Sequence, residues 1–186
     1  MRVIAGTAGG RKLEAPDGLD TRPTTDRVRE AVFNVLFSRV DLEGCAVVDL
    51  FAGTGAYGIE ALSRGAEHAT FVERDRRAIE LIRRNLDALG FTDQAAVVQA
   101  DALTWVKGGR HPIPDVVFCD PPYVFDAWSD LLAPLHAHLV VVESDGPIDL
   151  PEGWLSIRTK RYGGTVVTLS QRDEPETVDP QGADEE

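Results

Sequence analysis

"AVVDLFAGTGAYGIEAL" (residues 46–62) is the stretch whose reading decides the fold. The run "AVVDLF" is apolar on both of its alternating faces apart from Asp49, as in a strand covered on both sides. Gly53, Gly55 and Gly58 follow in a G-x-G-x-x-G spacing. Glycines there let the backbone turn tightly and bring main-chain amides close to a ligand. "AYGIEALSRG" then reads as a helix closed by Gly65. Strand, glycine turn and helix in succession open an α/β unit.

Downstream the alternation continues. Strands are expected at 69–73, 95–99, 115–119 and 138–144. The helix "RDRRAIELIRRNLDALG" between the first two turns Ala78, Ile79, Ile82, Leu86 and Leu89 to the core and ends at Gly90, a left-handed cap position. A second helix, "DAWSDLLAPL", is expected between the last two strands. "WLSIRTKRYGGTVVTLS" reads as two strands joined at Gly163-Gly164, a hairpin and therefore antiparallel. The expected architecture is α/β: a doubly wound, Rossmann-like sheet with a C-terminal antiparallel hairpin.

Upstream, a helix is expected from Thr24, with Thr24, Thr25 and Asp26 offering capping oxygens. Val28, Ala31, Val32, Val35 and Leu36 form its apolar stripe, and Arg27, Arg29 and Glu30 fall off it, toward solvent or a partner. Before it, "MRVIAGTAGGRKLEAP" carries Arg2, Arg11 and Lys12 with no acid through residue 13. The chain thus divides into a basic N-terminal extension or hairpin (1–23), one α/β domain (24–170) and an acidic tail (171–186) expected to be disordered.

With 186 residues and 43% apolar content, the chain can bury one good core. No run approaches a membrane span, the N-terminus lacks the apolar core of a signal peptide, and a cytoplasmic location is expected. Cys45 and Cys119 show no metal-ligand spacing with His68, His111, His136 or His138, so no metal is expected. If the strands at 46 and 115 are neighbours, the cysteines lie roughly 15 Å apart along the sheet, beyond disulfide reach. The net charge of −12 argues at first sight against nucleic acid, but half of it comes from the stretch after Ser170. The basic residues gather at the other end.

Asp49, Glu73 and Asp101 stand at or near the ends of three successive predicted strands, beside the glycine loop. Ligands of open α/β sheets bind outside the carboxyl ends of the strands. The loop alone suits NAD, FAD, S-adenosylmethionine or a turn without a ligand, and each acid alone suits a helix cap. Glu73, twenty residues after Gly53, can accept ribose hydroxyls, and Asp101 can reach an adenine edge. Two features favour a methyl donor over a dinucleotide. Little chain remains for a substrate domain, and Asp49 beneath the loop repels a pyrophosphate while suiting a cationic sulfonium or ammonium.

"VVDLFAGTGAYGIEAL", "VERD", "QADAL" and "DPPY", in this order, resemble the class I S-adenosylmethionine-dependent methyltransferases. The resemblance implies a seven-stranded sheet with one antiparallel strand. It also implies donor contacts from Asp49, Phe51, Gly53, Thr54, Gly55, Glu73, Arg74, Asp101 and Ala102. The tetrapeptide Asp120, Pro121, Pro122 and Tyr123 is typical of members that methylate nitrogens conjugated to a π system. Such a nitrogen is a poor nucleophile because its lone pair is delocalised. Asp120 and the Pro121 carbonyl would each accept one N–H and draw the nitrogen toward a tetrahedral shape, with no metal required. Tyr123 would stack on the base, a contact worth about 1–3 kcal/mol, once the base is splayed from its stack.

"RVIAGTAGGRKLEAP" and "TRPTTDRVREAVFNVLF", with the glycine loop and "DPPY", are similar to the RsmD family of small-subunit ribosomal RNA guanine-N2 methyltransferases. That resemblance implies methylation of guanine 966 of 16S rRNA, in an assembled or assembling subunit, by a monomeric enzyme. Arg2, Arg11, Lys12, Arg22, Arg27 and Arg29 could then contact RNA phosphates; solvated charges on an ordinary hairpin are the alternative for the first three. Tyr57 and the acidic tail depart from the usual family pattern. The same tetrapeptide also serves enzymes acting on a DNA adenine or a protein glutamine, and a non-catalytic assembly factor could keep the fold. The missing recognition domain speaks against the first, Asp rather than Asn at 120 against the second, and the intact acids against the third.

Overall fold

The structure, a computed structural model, describes residues 1–15, 23–109, 111–122 and 124–173, with Pro23 to Thr25 described in the backbone only. In chain order the elements are α1 (Pro23–Leu36), β1 (Ala46–Leu50), α2 (Ala56–Ser63), β2 (His68–Glu73), α3 (Arg76–Leu89), a 3-10 turn (Thr92–Gln94) and β3 (Ala95–Gln99). They continue with α4 (Ala102–Gly108), β4 (Val116–Cys119), α5 (Trp128–Leu132), β5 (Leu139–Ser144), β6 (Trp154–Tyr162) and β7 (Thr165–Arg172). The seven strands form one sheet in the order β3-β2-β1-β4-β5-β7-β6. Pairings from β3 across to β5 are parallel, and β7 runs antiparallel to both β5 and β6. This is the expected class, with one antiparallel strand inserted between β5 and the edge.

Strand alternation sends neighbouring residues to opposite faces. Val47, Phe71, Phe118 and Val141 pack under α1, α2 and α3, whereas Val48, Leu50, Val117 and Val140 pack under α4 and α5. α3 is capped as its sequence suggests: Asp75 accepts from the amides of Arg77 and Ala78, both at 2.9 Å, and Gly90 closes the helix with φ 78°. Leu50 is in register with Cys119, and Cys45 precedes β1, so the two buried cysteines sit at opposite ends of adjacent strands and are free thiols.

Four local expectations change. α1 begins at Pro23, so Thr24, Thr25 and Asp26 lie inside its first turn instead of capping it; proline is favoured at that first position because its missing N–H is not needed. α4 fills a segment for which no helix was expected, with Ala102 and Val106 buried one turn apart. α5 is only five residues long. Arg29, expected to face outward, is 2% exposed.

The cause of Arg29's burial is the N-terminal segment. Its arms form a turn with one bridge between Arg2 and Lys12, and it folds over α1 and α2. Val3, Ala8 and Leu13 enter the same core cluster as α1, α2 and α3. Glu60, fully buried on α2, accepts the amides of Ile4 at 2.7 Å and Ala5 at 3.1 Å. Its carboxylate also pairs with Arg64 at 2.6 Å and Arg29 at 3.7 Å. Arg29 further donates to the Arg2 carbonyl and pairs with Asp26 at 3.1 Å. A guanidinium so enclosed is a structural tie. Arg22 and most of the acidic tail lie outside the described residues; β7 itself runs through Arg172, two residues past the expected domain end.

Candidate active site

The strand order reverses between β1 and β4, and a crevice opens there, outside the carboxyl ends of the parallel strands. It is a cleft of about 940 Å³, lined among others by Asp49, Phe51, Gly53, Glu73, Asp101 and Asp120. Of the expected donor contacts, Thr54, Arg74 and Ala102 also line it, while Gly55 lies behind the loop surface.

The glycines have separate reasons to be there. Gly53 and Gly55 hold left-handed φ values of 55° and 78°, which L side chains rarely adopt. Gly58 has ordinary φ, but a Cβ there would sit 2.3 Å from the Phe71 ring, so its absence lets α2 close onto β2. Phe51 is the one non-glycine residue at positive φ among the described residues, at 60°. That conformation is costly for a bulky side chain. It turns the chain out of β1 and lays the ring edge-on to Phe125, 5.2 Å away.

The acids sit differently from one another. Asp49, 2% exposed, accepts the Gly58 amide at 2.9 Å from beneath the loop. Burial raises its pKa well above the carboxylate range, the Gly58 hydrogen bond opposes this, and the charges of Asp120 and Glu73 add to it. Glu73 accepts the Gly53 amide on Oε2 at 2.9 Å and the amides of Arg74 and Asp75 on Oε1 at 2.8 and 2.9 Å. A carboxylate offers about four lone-pair sites, so one on Oε2 remains for a ligand. Asp101 caps α4 through Oδ1, which takes the Thr104 amide at 3.1 Å and hydroxyl at 3.2 Å. Capping and cleft-lining coincide in this residue.

Asp120 follows β4 directly, its carboxylate open to the cleft mouth but surrounded by protein elsewhere. That desolvation raises its pKa to about 6. The Pro122 carbonyl closes a turn by accepting the Phe125 amide at 2.9 Å. Among the described residues no donor reaches Asp120 or the Pro121 carbonyl, so two adjacent acceptors stand free. A second recess adjoins them, lined by Asp120, Pro121, Phe125, Trp128, Glu143 and Thr165. Tyr123 lies outside the described residues; Phe125 and Trp128, with rings 4.9 Å apart and edge-on, supply aromatic surface there that sequence reading did not single out. Glu143 was missed too. It reads as the tail of an apolar run, "LVVVES", and only the sheet register brings it beside Asp120.

Of the expected RNA contacts, Arg2, Arg11, Lys12 and Arg27 are exposed, with Arg11 also donating to the Ala88 carbonyl. Arg29 is not available at the surface. Residues 154–172 hold four cations and no acid, and three of them, Arg158, Lys160 and Arg161, are exposed on β6. Among the described residues no three His, Cys, Asp or Glu side chains group as metal ligands, and no helix is long and apolar enough to cross a membrane.

Residues 1–171 match the family model described as "Conserved hypothetical protein 95". The chain is 39% identical over 184 residues to "Putative rRNA methyltransferase YlbH" of Bacillus subtilis, covering 92% of this chain and 99% of that one. It is 37% identical over 185 residues to "Ribosomal RNA small subunit methyltransferase D" of Escherichia coli, covering 93% and 90%. Among solved structures it resembles "Putative methyltransferase yhhF from Escherichia coli", with a TM-score of 0.81 at 37% identity over 92% of this chain and 97% of that one.

Proposed function

We propose, from the premise that this chain belongs to the RsmD family of methyltransferases, that it methylates the exocyclic N2 of a guanine in 16S ribosomal RNA, using S-adenosylmethionine. By resemblance the target is guanine 966, in an assembled or assembling small subunit in the cytoplasm. One observation carries this reading: the free acceptor pair of Asp120 and the Pro121 carbonyl at the lip of an acid-lined cleft.

The cleft suits the donor by charge. Asp49, Glu73 and Asp120 raise one another's energy when all are ionised, and a cation relieves that repulsion. When bound, the donor supplies an electrophilic methyl on a cationic sulfur. Asp49 would hold its positive end, the free Oε2 site of Glu73 a ribose hydroxyl, and Asp101 with Ala102 the adenine.

The chain's own work is then positioning. Asp120 accepts one hydrogen of the guanine amine and the Pro121 carbonyl the other, which frees the lone pair for in-line attack. Proline's fixed φ keeps the carbonyl aimed. The proton lost by the methylated nitrogen passes to Asp120, whose raised pKa suits it to receive one. Phe125 and Trp128 provide stacking surface for the splayed base, a role the family resemblance also gives to Tyr123, and Arg2, Arg11, Lys12, Arg27 and the β6 cations face phosphates. Nucleoside mass spectrometry of 16S rRNA from cells with and without the gene tests this. Loss of one N2-methylguanosine is the expected result, and unchanged modification would sink the reading.

A further inference from the structure

The recess beside Asp120 contains a carboxylate that this chemistry leaves unused. Glu143, the penultimate residue of β5, lines both the recess and the larger cleft. The Tyr57 hydroxyl donates to its Oε1, fixing the group from one side. Among the described residues no donor reaches Oε2. Burial raises the Glu143 pKa to about 7, against the opposing charge of Arg29. A partly desolvated carboxylate with one idle oxygen is unfavourable until a ligand brings an N–H to it.

Guanine has that N–H in the right order along its edge. Its N1–H adjoins the N2 amine, so with the amine on Asp120 and Pro121, N1–H is the next donor. Adenine, and any base with a bare N1, shows a lone pair there and meets the carboxylate with repulsion. We propose that Glu143 accepts the N1–H of the target guanine and selects guanine over bases that lack it, with Tyr57 as its positioning residue. This rests on the guanine-N2 reading above and adds the element that reads the base.

The test uses small-subunit RNA carrying guanine or 2-aminopurine at the methylated position. 2-Aminopurine keeps the N2 amine but has a lone pair at N1. The wild-type enzyme should favour guanine by about 10²-fold or more in kcat/KM, since sites built around a hydrogen bond reject analogues that lack it. In Glu143→Gln the amide can donate to a bare N1, so the ratio should fall to within about tenfold. Tyr57→Phe should narrow the ratio by a smaller factor. 2-Aminopurine fluorescence reports binding without turnover, and the Gln variant should bind that RNA more tightly than wild type does. Equal wild-type rates on the two RNAs, or a ratio untouched by Glu143→Gln, overturns the proposal. The wild-type ratio needs no variant to fold. Absence of transfer to the guanine RNA would bring down the proposed function itself, and this inference with it.

Discussion

The carboxylate of Glu60 holds the main-chain amide of Ile4 at 2.7 Å, fifty-six residues away in sequence. Through this contact and those to Ala5, Arg29 and Arg64, one buried acid ties the N-terminal segment to α1 and α2. Removing one partner of a buried charge cluster leaves the others uncompensated. Glu60→Ala should therefore destabilise the fold by about 3–5 kcal/mol, measured by urea unfolding. Hydrogen exchange at residues 4–8 should rise first.

Asp120 gives the activity a pH signature. Its pKa of about 6 means that the acceptor form is lost as pH falls through that value. If Asp120 and Glu143 both act as acceptors, the plot of kcat/KM against pH should fall off on the acid side in two steps, near pH 7 and near pH 6, and Asp120→Asn, though nearly inactive, should keep only the upper one. Donor affinity of that variant, read by calorimetry, should stay close to wild type.

Stability should move in the opposite sense. Asp120 and Glu143 have pKa values raised above those of an unfolded chain, so the folded protein binds more protons between about pH 4 and 7. Their contribution is complete below that window and is lost as pH rises through the folded values. The melting temperature of Asp120→Asn should exceed that of wild type at pH 8 and approach it at pH 5, while a uniform offset would contradict the linkage.

Much of this molecule is legible in its sequence because strands buried on both faces leave continuous apolar runs. β3 and the terminal hairpin fall where the pattern puts them, and Glu73 at the end of β2, Asp101 after β3 and Asp120 after β4 line one cleft. What escapes is whatever depends on partners distant in sequence. Arg29 lies off the apolar stripe of α1, yet the N-terminal segment covers that side and buries it. Glu60 looks like a helix-surface acid until Ile4 and Ala5 arrive. α4 is too short to establish a periodicity.

Gly58 offers a sharper test of packing. Its absent Cβ is matched to the Phe71 ring at 2.3 Å. Gly58→Ala should cost about 1–3 kcal/mol and weaken donor binding, because α2 must shift and draw the Gly58 amide off Asp49. Adding Phe71→Leu should recover part of both losses.

Reversing exposed cations separates RNA contact from structure. Arg11→Glu with Lys12→Glu, or Lys160→Glu alone, should lower RNA affinity and flatten its salt dependence without changing the melting temperature greatly. Arg29→Ala should do the reverse, lowering stability with little effect on the salt slope. A salt slope unmoved by the first two would return those residues to an ordinary solvated surface.

The placement of β7 also sets an order of events during synthesis. This strand is the last to be made, yet it lies between β5 and β6, inside the sheet. Until about residue 172 has left the ribosome, the β5 edge next to Asp120 and Glu143 stays open and β6 has no strand to join. The half of the cleft built on β1 to β3 can form on the nascent chain. The Glu143 side of the cleft waits for β7, so a chain stalled before that strand would hold the β1 to β3 side of the cleft beside an unfinished sheet.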